Sequence, residues 1–290
     1  MTNLDVVTIG ESMVQLTPPE TGLLRHAAQF DRFVAGAASN VAVGLVQMGH
    51  RAGWISRVGD DEFGACVRAS IRGTGVDTTH VVEDEAAPTG IYVKERRRPP
   101  QTRVHYYRDG SAASRLAPDD LEPDYIGRAD YLHLTGILPA LSSTCRETTW
   151  AALRIAAERG VAVSLDPNVR SKLWAEDEAR TVLQEMIPRV EVLLLGRDEA
   201  TLLSGEDRPE AAARALTETG PSEVVVRRGD GGASALDEEG DLVHADAIDV
   251  EPVEVVGAGD AFNAGYLAGR LRGWPIRRCL RLGNVLGGLA

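Results

Sequence analysis

Val255-Val256-Gly257-Ala258-Gly259-Asp260-Ala261-Phe262-Asn263-Ala264-Gly265 joins a short apolar approach to a run of very small residues and then to an amphipathic helix. Small residues let a backbone come close to a ligand. The N–H groups of Gly257 to Asp260, with the positive end of the helix dipole behind them, form a cradle for an anion. The acid inside that cradle has two readings. Asp260 caps the helix, as aspartate commonly does, or it is a general base that takes a proton from a hydroxyl attacking phosphorus. Phosphoryl transfer asks for such a base, for positioning and for charge neutralisation, and for little covalent chemistry.

A second glycine cluster, Arg227-Arg228-Gly229-Asp230-Gly231-Gly232, follows the apolar run Val224 to Val226. It receives nucleotide phosphates, or it is a hairpin turn leading into Ala233 to Leu236. Neither cluster carries the lysine of GxxxxGK[ST], and GxGxxG fails at its last position, where Phe262 and Ser234 stand.

Outward from these stretches, strand-length apolar runs alternate with helix-period segments. The expected strands are Val6 to Ile9, Ala52 to Ser56, Tyr131 to Thr135, Val161 to Leu165, Val192 to Leu195 and Val224 to Val226. Between them fall helical segments at Ser39 to Met48, Glu62 to Arg72, Cys145 to Arg159, Glu176 to Met186 and Glu210 to Thr217, the last stopped by Gly220. Such alternation predicts an α/β fold, a central mostly parallel sheet with helices on both faces. One region breaks the rhythm. Thr89 to Glu95 and Arg103 to Arg108 alternate with period two around a charged loop, Arg96 to Thr102, and read as a β-hairpin. With the irregular segment Val14 to Phe33 it is expected to form a small antiparallel β lid, of the kind that excludes water and carries substrate contacts. The expected division is a core of residues 1–12, 35–88 and 110–290, with a lid of residues 13–34 and 89–109.

At 290 residues the chain fits one large domain or two modest ones, and no long linker divides it. A net charge of −12 repels polyphosphate chains, which argues against nucleic acid while leaving room for a small anion in a locally basic pocket. No run approaches the roughly 18 apolar residues of a membrane span, so no membrane partner is expected. Cys66, Cys145 and Cys279 are odd in number and form no CxxC pair, and the start lacks a secretory pattern. A reducing cytoplasm is therefore the expected setting. The six histidines show no metal-hydrolase spacing. Arg96-Arg97-Arg98, beside Pro99 and Pro100, reads as a solvated loop rather than a polyanion site.

Gly257-Ala258-Gly259-Asp260-Ala261-Phe262 resembles the C-terminal motif of the ribokinase-like (PfkB) carbohydrate kinases, and Gly36-Ala37-Ala38-Ser39-Asn40 resembles their N-terminal substrate motif. The likeness runs in order along the chain, through Gly10-Glu11, Arg57 to Gly64, Asp166 to Arg170, Glu199 and Gly229 to Gly232. Within the family it is closest to the 2-keto-3-deoxygluconate kinases, on Tyr106 to Ser114, Leu134 to Ile137 and Ser164 to Arg170. The resemblance implies transfer of the ATP γ-phosphoryl group to a primary hydroxyl, with Asp260 as base and Gly257, Ala258 and Gly259 as anion hole. It implies Mg²⁺ on the phosphates, with Glu199 helping to place the hydrated metal. Glu199 is otherwise an exposed residue in a first helical turn. The asparagine of the family's Asn-x-x-Glu motif is Gly196 here, and no role passes to it.

The implied substrate residues are Gly36, Asn40, Ile137 and Arg170 on the sheet side and Tyr92, Tyr106 and Arg108 on the lid, with Tyr107 facing away. A sugar acid offers a carboxylate that a planar guanidinium binds in fork geometry, so Arg108 and Arg170 are the expected clamps. Each is otherwise a solvated surface cation. The implied nucleotide residues are Arg228, Gly229, Gly232, Gly257 and Gly259, with Asn284 beside the adenine. Related chains continue with another turn and helix where this one stops at Ala290, so an adenine pocket short of one wall is expected. Two other readings stand beside the sugar-acid kinase: a kinase of a neutral ketose such as fructose, and a sugar-binding regulator without turnover. A homo-oligomer formed through exposed lid strands is expected.

Overall fold

Leu193-Leu194-Leu195 and Val224-Val225-Val226 are apolar at every position because a parallel strand covered on both faces has no solvent side. The computed structural model, which describes residues 3–98, 101–237, 240–250 and 256–290, shows both runs fully buried in the middle of one large sheet. Its strands are β1 (Leu4–Ile9), β4 (Ala52–Gly59), β5 (Val81–Asp84), β8 (Ala129–Thr135), β9 (Ala162–Asp166), β10 (Val192–Gly196), β11 (Glu223–Arg227), β12 (Ala233–Leu236) and β13 (Leu242–Ala245). A second sheet holds β2 (Met13–Thr17), β3 (Asp31–Ala35), β6 (Ile91–Arg98) and β7 (Gln101–Tyr107). Helices α1 (Ala37–Gln47), α2 (Glu62–Gly73), α3 (Pro123–Ile126), α4 (Ile137–Leu141), α5 (Ser143–Arg159), α6 (Glu176–Met186), α7 (Arg197–Ser204), α8 (Pro209–Thr217), α9 (Ala258–Leu271) and α10 (Ile276–Leu289) complete the described elements.

The large sheet runs β13-β12-β11-β10-β9-β8-β1-β4-β5, parallel from β11 to β5 and antiparallel at the β12 and β13 edge. Alternate residues sort onto its two faces. Val7, Ile9, Leu193, Leu195, Val224 and Val226 share a core with α5, α6, α7 and α8. Val6, Val192, Leu194 and Val225 pack with α1, α2, α9 and α10. The chain winds outward from β1 through β4 in one direction and from β8 through β9 and β10 in the other. The point between β1 and β8 is thus a topological switch, where α/β sheets open a crevice at the carboxyl ends of their strands.

The lid has the order β3-β2-β6-β7, with β2 parallel to β6, so it is a mixed sheet and not the antiparallel one expected. Two further expectations need correction. The segment Val14 to Phe33 is irregular only in its middle, since its ends are strands, β2 and β3 pairing antiparallel from Met13↔Ala35 to Thr17↔Asp31 around a stretch whose one element is the 3-10 turn Leu24–His26. Nor are Arg96 to Arg98, Gln101 and Thr102 a solvated loop, since β6 runs to Arg98 and β7 starts at Gln101, with a register shift between Arg96 and Arg98. Arg96 donates through Nη2 to the carbonyls of Pro18 (2.6 Å) and Pro19 (2.8 Å), a local use of its charge that ties the end of β2 to the hairpin. Pro99, Pro100 and the apolar approach at Val255 lie outside the described residues. Among those described, no helix is long and apolar enough to cross a membrane, and all three cysteines are free.

Candidate active site

The carboxyl ends of the parallel strands lie along one edge of the sheet. β1 is followed there by Gly10 and Glu11 and β8 by Gly136 and Ile137, while Asp166 ending β9, Gly196 ending β10 and Arg227 ending β11 line a cleft. Gly36 is the N-cap of α1, and a Cβ there would collide with the Glu11 carbonyl, so a residue without one lets the helix begin directly over the end of β1. Gly257 is the N-cap of α9 at φ +97°, a left-handed conformation that glycine enters without steric penalty. The backbone therefore turns sharply into α9, whose leading N–H groups have no partners within the helix.

Asp260 sits in that first turn, 8% exposed. Its Oδ2 accepts a hydrogen bond from Asn40 Nδ2 at 2.8 Å, which joins α9 to α1. Burial, opposed by the Asn40 bond and reinforced by the neighbouring Asp166 carboxylate, pushes its pKa up to about 6. A carboxyl group poised there is ionised at neutral pH yet retains appreciable proton affinity. The helix start is thus a ring of amides around a buried carboxylate of raised basicity.

Beneath it lies a polar network that the motif reading missed. Arg227 grips Asp166 with both Nη atoms (3.0 Å each) and donates through Nη1 to Asn263 Oδ1 (2.8 Å) and the Gly259 carbonyl (3.2 Å). Asn263 Nδ2 donates to Asp166 Oδ2 at 2.6 Å. Burial alone would raise Asp166, but the Arg227 guanidinium holds it below the usual carboxylate range. The signal was in the sequence, as a cation ending an otherwise apolar strand where ligand-binding crevices form.

Of the expected site residues, Arg170, Glu199, Arg228, Gly229, Gly232, Gly257, Ala258, Gly259, Asp260 and Asn284 all line a single cleft of about 1400 Å³. The glycine cluster is the turn of the plainer reading, Gly229–Gly231 forming a short 3-10 turn that joins β11 to antiparallel β12, and Gly229, Asp230 and Gly232 line the cleft. Asn284 donates through Nδ2 to the carbonyls of Ala245 (2.8 Å) and Asp246 (2.9 Å), fastening α10 to the end of β13 at the cleft wall. The cleft is not the basic pocket envisaged. Arg170, Arg180, Arg197, Arg227 and Arg228 share it with seven acidic residues.

Gly36, Asn40, Tyr92, Tyr106, Arg108 and Ile137 stand outside that cleft lining, toward the lid. Tyr92 on β6 is paired in register with Tyr106 on β7, ring centroids 5.6 Å apart. The Tyr92 hydroxyl donates to Gln15 Oε1. Burial, then the neighbouring Tyr106 and the Asp260 charge, push its pKa up to about 12. Tyr107, the next residue on the strand, is 64% exposed against 39% for Tyr106. Ile137 opens α4 and is half-buried.

The two arginines part company. Arg108 is not solvated: it is buried with its guanidinium ion-paired to Glu11, whose other oxygen accepts from Ser111 Oγ at 3.1 Å. Arg170 is exposed in the cleft wall, its side chain without a hydrogen bond or ion pair among the described residues. Nor is Glu199 the exposed residue of the plainer reading. Its two oxygens accept from the amides of Val169 (2.8 Å) and Gly196 (2.7 Å), and burial followed by Asp166 pushes its pKa upward.

A doubly wound sheet, a four-stranded lid and a glycine-lined helix start holding a buried aspartate define a ribokinase-like sugar kinase. Residues 3–290 match the model of the pfkB family carbohydrate kinases, and the chain belongs to that family. It is 38% identical to a 2-dehydro-3-deoxygluconokinase of Thermoproteus tenax, over 96% of this chain and 86% of the relative. It is 34% identical to a 2-dehydro-3-deoxygalactonokinase of Haloferax volcanii, over 98% of this chain and 90% of the relative. The crystal structure of an Escherichia coli putative ribokinase II in complex with ATP and Mg²⁺ superimposes with a TM-score of 0.92 at 26% identity, covering 99% of this chain and 92% of that one.

The donor set fits a metal carried on phosphates. Among the described residues no three His, Cys, Asp or Glu side chains cluster as a cage. Mg²⁺ ordinarily keeps several waters and needs only one or two carboxylates besides phosphate oxygens. Each Glu199 oxygen accepts one amide and keeps a second lone pair, which would serve to accept from the waters of such an ion.

Proposed function

We propose that the protein phosphorylates the primary hydroxyl of a sugar acid, 2-keto-3-deoxygluconate (the 2-dehydro-3-deoxygluconate of its relatives), to the 6-phosphate at the expense of ATP. The observation that carries this reading is Asp260, buried in the first turn of α9, bonded by Asn40 and with its pKa raised to about 6. The sugar hydroxyl gives its proton to the Asp260 carboxylate as its oxygen bonds to the γ-phosphorus. The bond from that phosphorus to the β,γ-bridging oxygen breaks, and ADP leaves. The amides of Gly257, Ala258 and Gly259 face the charge that builds on the transferred group. Arg228 and the Gly229 to Gly232 turn flank the phosphates, and Asn284 stands on the wall assigned to the adenine. Mg²⁺, bound to the phosphates, would neutralise charge in a cleft whose own arginines are balanced by acids.

Arg170 supports an acid substrate, since it is an unpaired guanidinium on the cleft wall whose charge acts on both Asp260 and Tyr92. Tyr92, Tyr106, Gly36, Asn40 and Ile137 would surround the rest of the sugar. In this reading the lid, residues 13–34 and 89–109, closes over a core made of the remainder. Pairing of two lids into a homo-oligomer is proposed from the exposed Phe33 (53%) and Tyr107 (64%) on its edge strands β3 and β7. Equilibrium sedimentation of Tyr107→Glu beside the parent tests this, the parent sedimenting as the larger species.

A neutral-ketose kinase is the second reading, favoured by the neutralisation of Arg108 by Glu11. ADP release measured over 2-keto-3-deoxygluconate, its galactonate epimer, gluconate, fructose and ribose decides between them. The expected order puts the two keto-deoxy acids first. A preference for fructose would establish the second reading, and no ADP release with any sugar would leave a regulator.

A further inference from the structure

We propose that Arg227 is a positioning residue for the proton acceptor, fastening the first turn of α9 to the ends of β9 and β11 and setting the charge that Asp260 meets. The inference rests on Asp260 being the base. Arg227 closes β11, its side chain 16% exposed, and one guanidinium hydrogen-bonds four acceptors, both oxygens of Asp166, the carbonyl of Gly259 and the side chain of Asn263, while its Nη2 also lies 3.7 Å from the Glu199 carboxylate. Gly259 immediately precedes Asp260 and Asn263 lies about one turn beyond it, so a single cation grips α9 on both sides of the carboxylate. With the Gly259 carbonyl held, the peptide that carries the Asp260 amide cannot rotate away from the cleft.

The charges facing Asp260 come from every element around it. Asn40 of α1 donates to it, Asp166 at the end of β9 opposes its ionisation, and Arg170 after β9 and Arg227 of β11 favour it. Tyr92 of the lid lies within its field. Arg227 and Asp166 therefore act on the base with opposite signs, although each holds the other in place. A scaffold role predicts equal damage from losing either. A positioning role predicts opposite shifts.

The test is the pH dependence of kcat and of kcat/KM, with saturating Mg²⁺ and ATP, for the parent, Arg227→Gln, Arg227→Lys and Asp166→Asn. Arg227→Gln should lower kcat by on the order of 10²-fold with little change in either KM, the loss typical of a displaced catalytic group. Its acid limb should move to higher pH, whereas that of Asp166→Asn moves to lower pH. Arg227→Lys keeps the charge but not the planar fork, so its limb should stay with the parent's while kcat still falls. Limbs that move together or not at all overturn the proposal. Should Arg227→Gln fail to fold, Arg227→Lys with the parent's kcat, or Asp166→Asn with an unmoved limb, overturns it equally. A parent enzyme that releases no ADP with any sugar would instead sink the kinase reading, whatever these variants do.

Discussion

Asp260 is placed where it is least comfortable, and its pKa shows this. Because its folded pKa of about 6 lies above the ordinary carboxylate value of 3.8, the native state binds the proton more tightly than the unfolded chain does. Its contribution to stability is therefore greatest below about pH 3.8 and declines as pH rises through about 6, leaving a penalty at neutral pH. Asp260→Asn should accordingly abolish most turnover, by roughly 10²-fold or more, while raising stability at pH 7 by about 1–3 kcal/mol in urea unfolding. The parent's kcat/KM should fall about tenfold per pH unit below pH 6, because the base must be ionised. At the arginines, Arg170→Ala should raise KM for the acid by the equivalent of about 1.5–3 kcal/mol and leave fructose unaffected. Arg108→Ala leaves Glu11 buried alone and should chiefly destabilise the fold, by about 3–5 kcal/mol. Equal effects of the two on KM for acid and neutral sugars would contradict carboxylate recognition by Arg170.

Among the elements, α2 shows how a family segment can be structural. Asp61 is its N-cap, accepting the amides of Gly64 (2.7 Å) and Thr89 (2.8 Å), and so binds the helix start to the root of the lid hairpin. Asp61→Ala should cost about 1–2 kcal/mol in denaturant unfolding with kcat retained. Burial would raise the Asp61 pKa, but these amides lower it overall, so its contribution is lost as pH falls into the acid range. The strands were legible because Leu193 to Leu195 and Val224 to Val226 have no polar face, and α6 because its periodicity and its acidic start at Glu176 agree. The motif residues that line the cleft were legible too, since short motifs need fixed residue types at fixed spacing. What escaped were pairings distant in sequence. Nothing local to Arg108 announces Glu11, 97 residues away, and nothing local to Arg227 announces Asp166, 61 residues away. The early segment looked irregular because β2 and β3 enclose a turn region with little apolar alternation, and their register is set by partners rather than by pattern.

Across the whole molecule, two sheets of different character divide the work. The large one is buried on both faces and rigid, and it sets the carboxyl-end residues in fixed relation. The small one meets the core through the buried Val14, with Leu16, Val34 and Ile91 packed beside it, and through polar ties, among them Lys172 Nζ donating to the Val104 carbonyl at 2.7 Å. Asn40 and Asp260 touch across 220 residues, from the first long helix to the ninth. On the proposed reading of Asp260 as acceptor of the sugar's proton, a molecule in which either helix has yet to dock, or has come loose, does not consume nucleotide. Half-folded chains are silent rather than wasteful. In a urea series, ADP release should accordingly cease no later than the fluorescence transition of the core, with no partly unfolded species that still turns over.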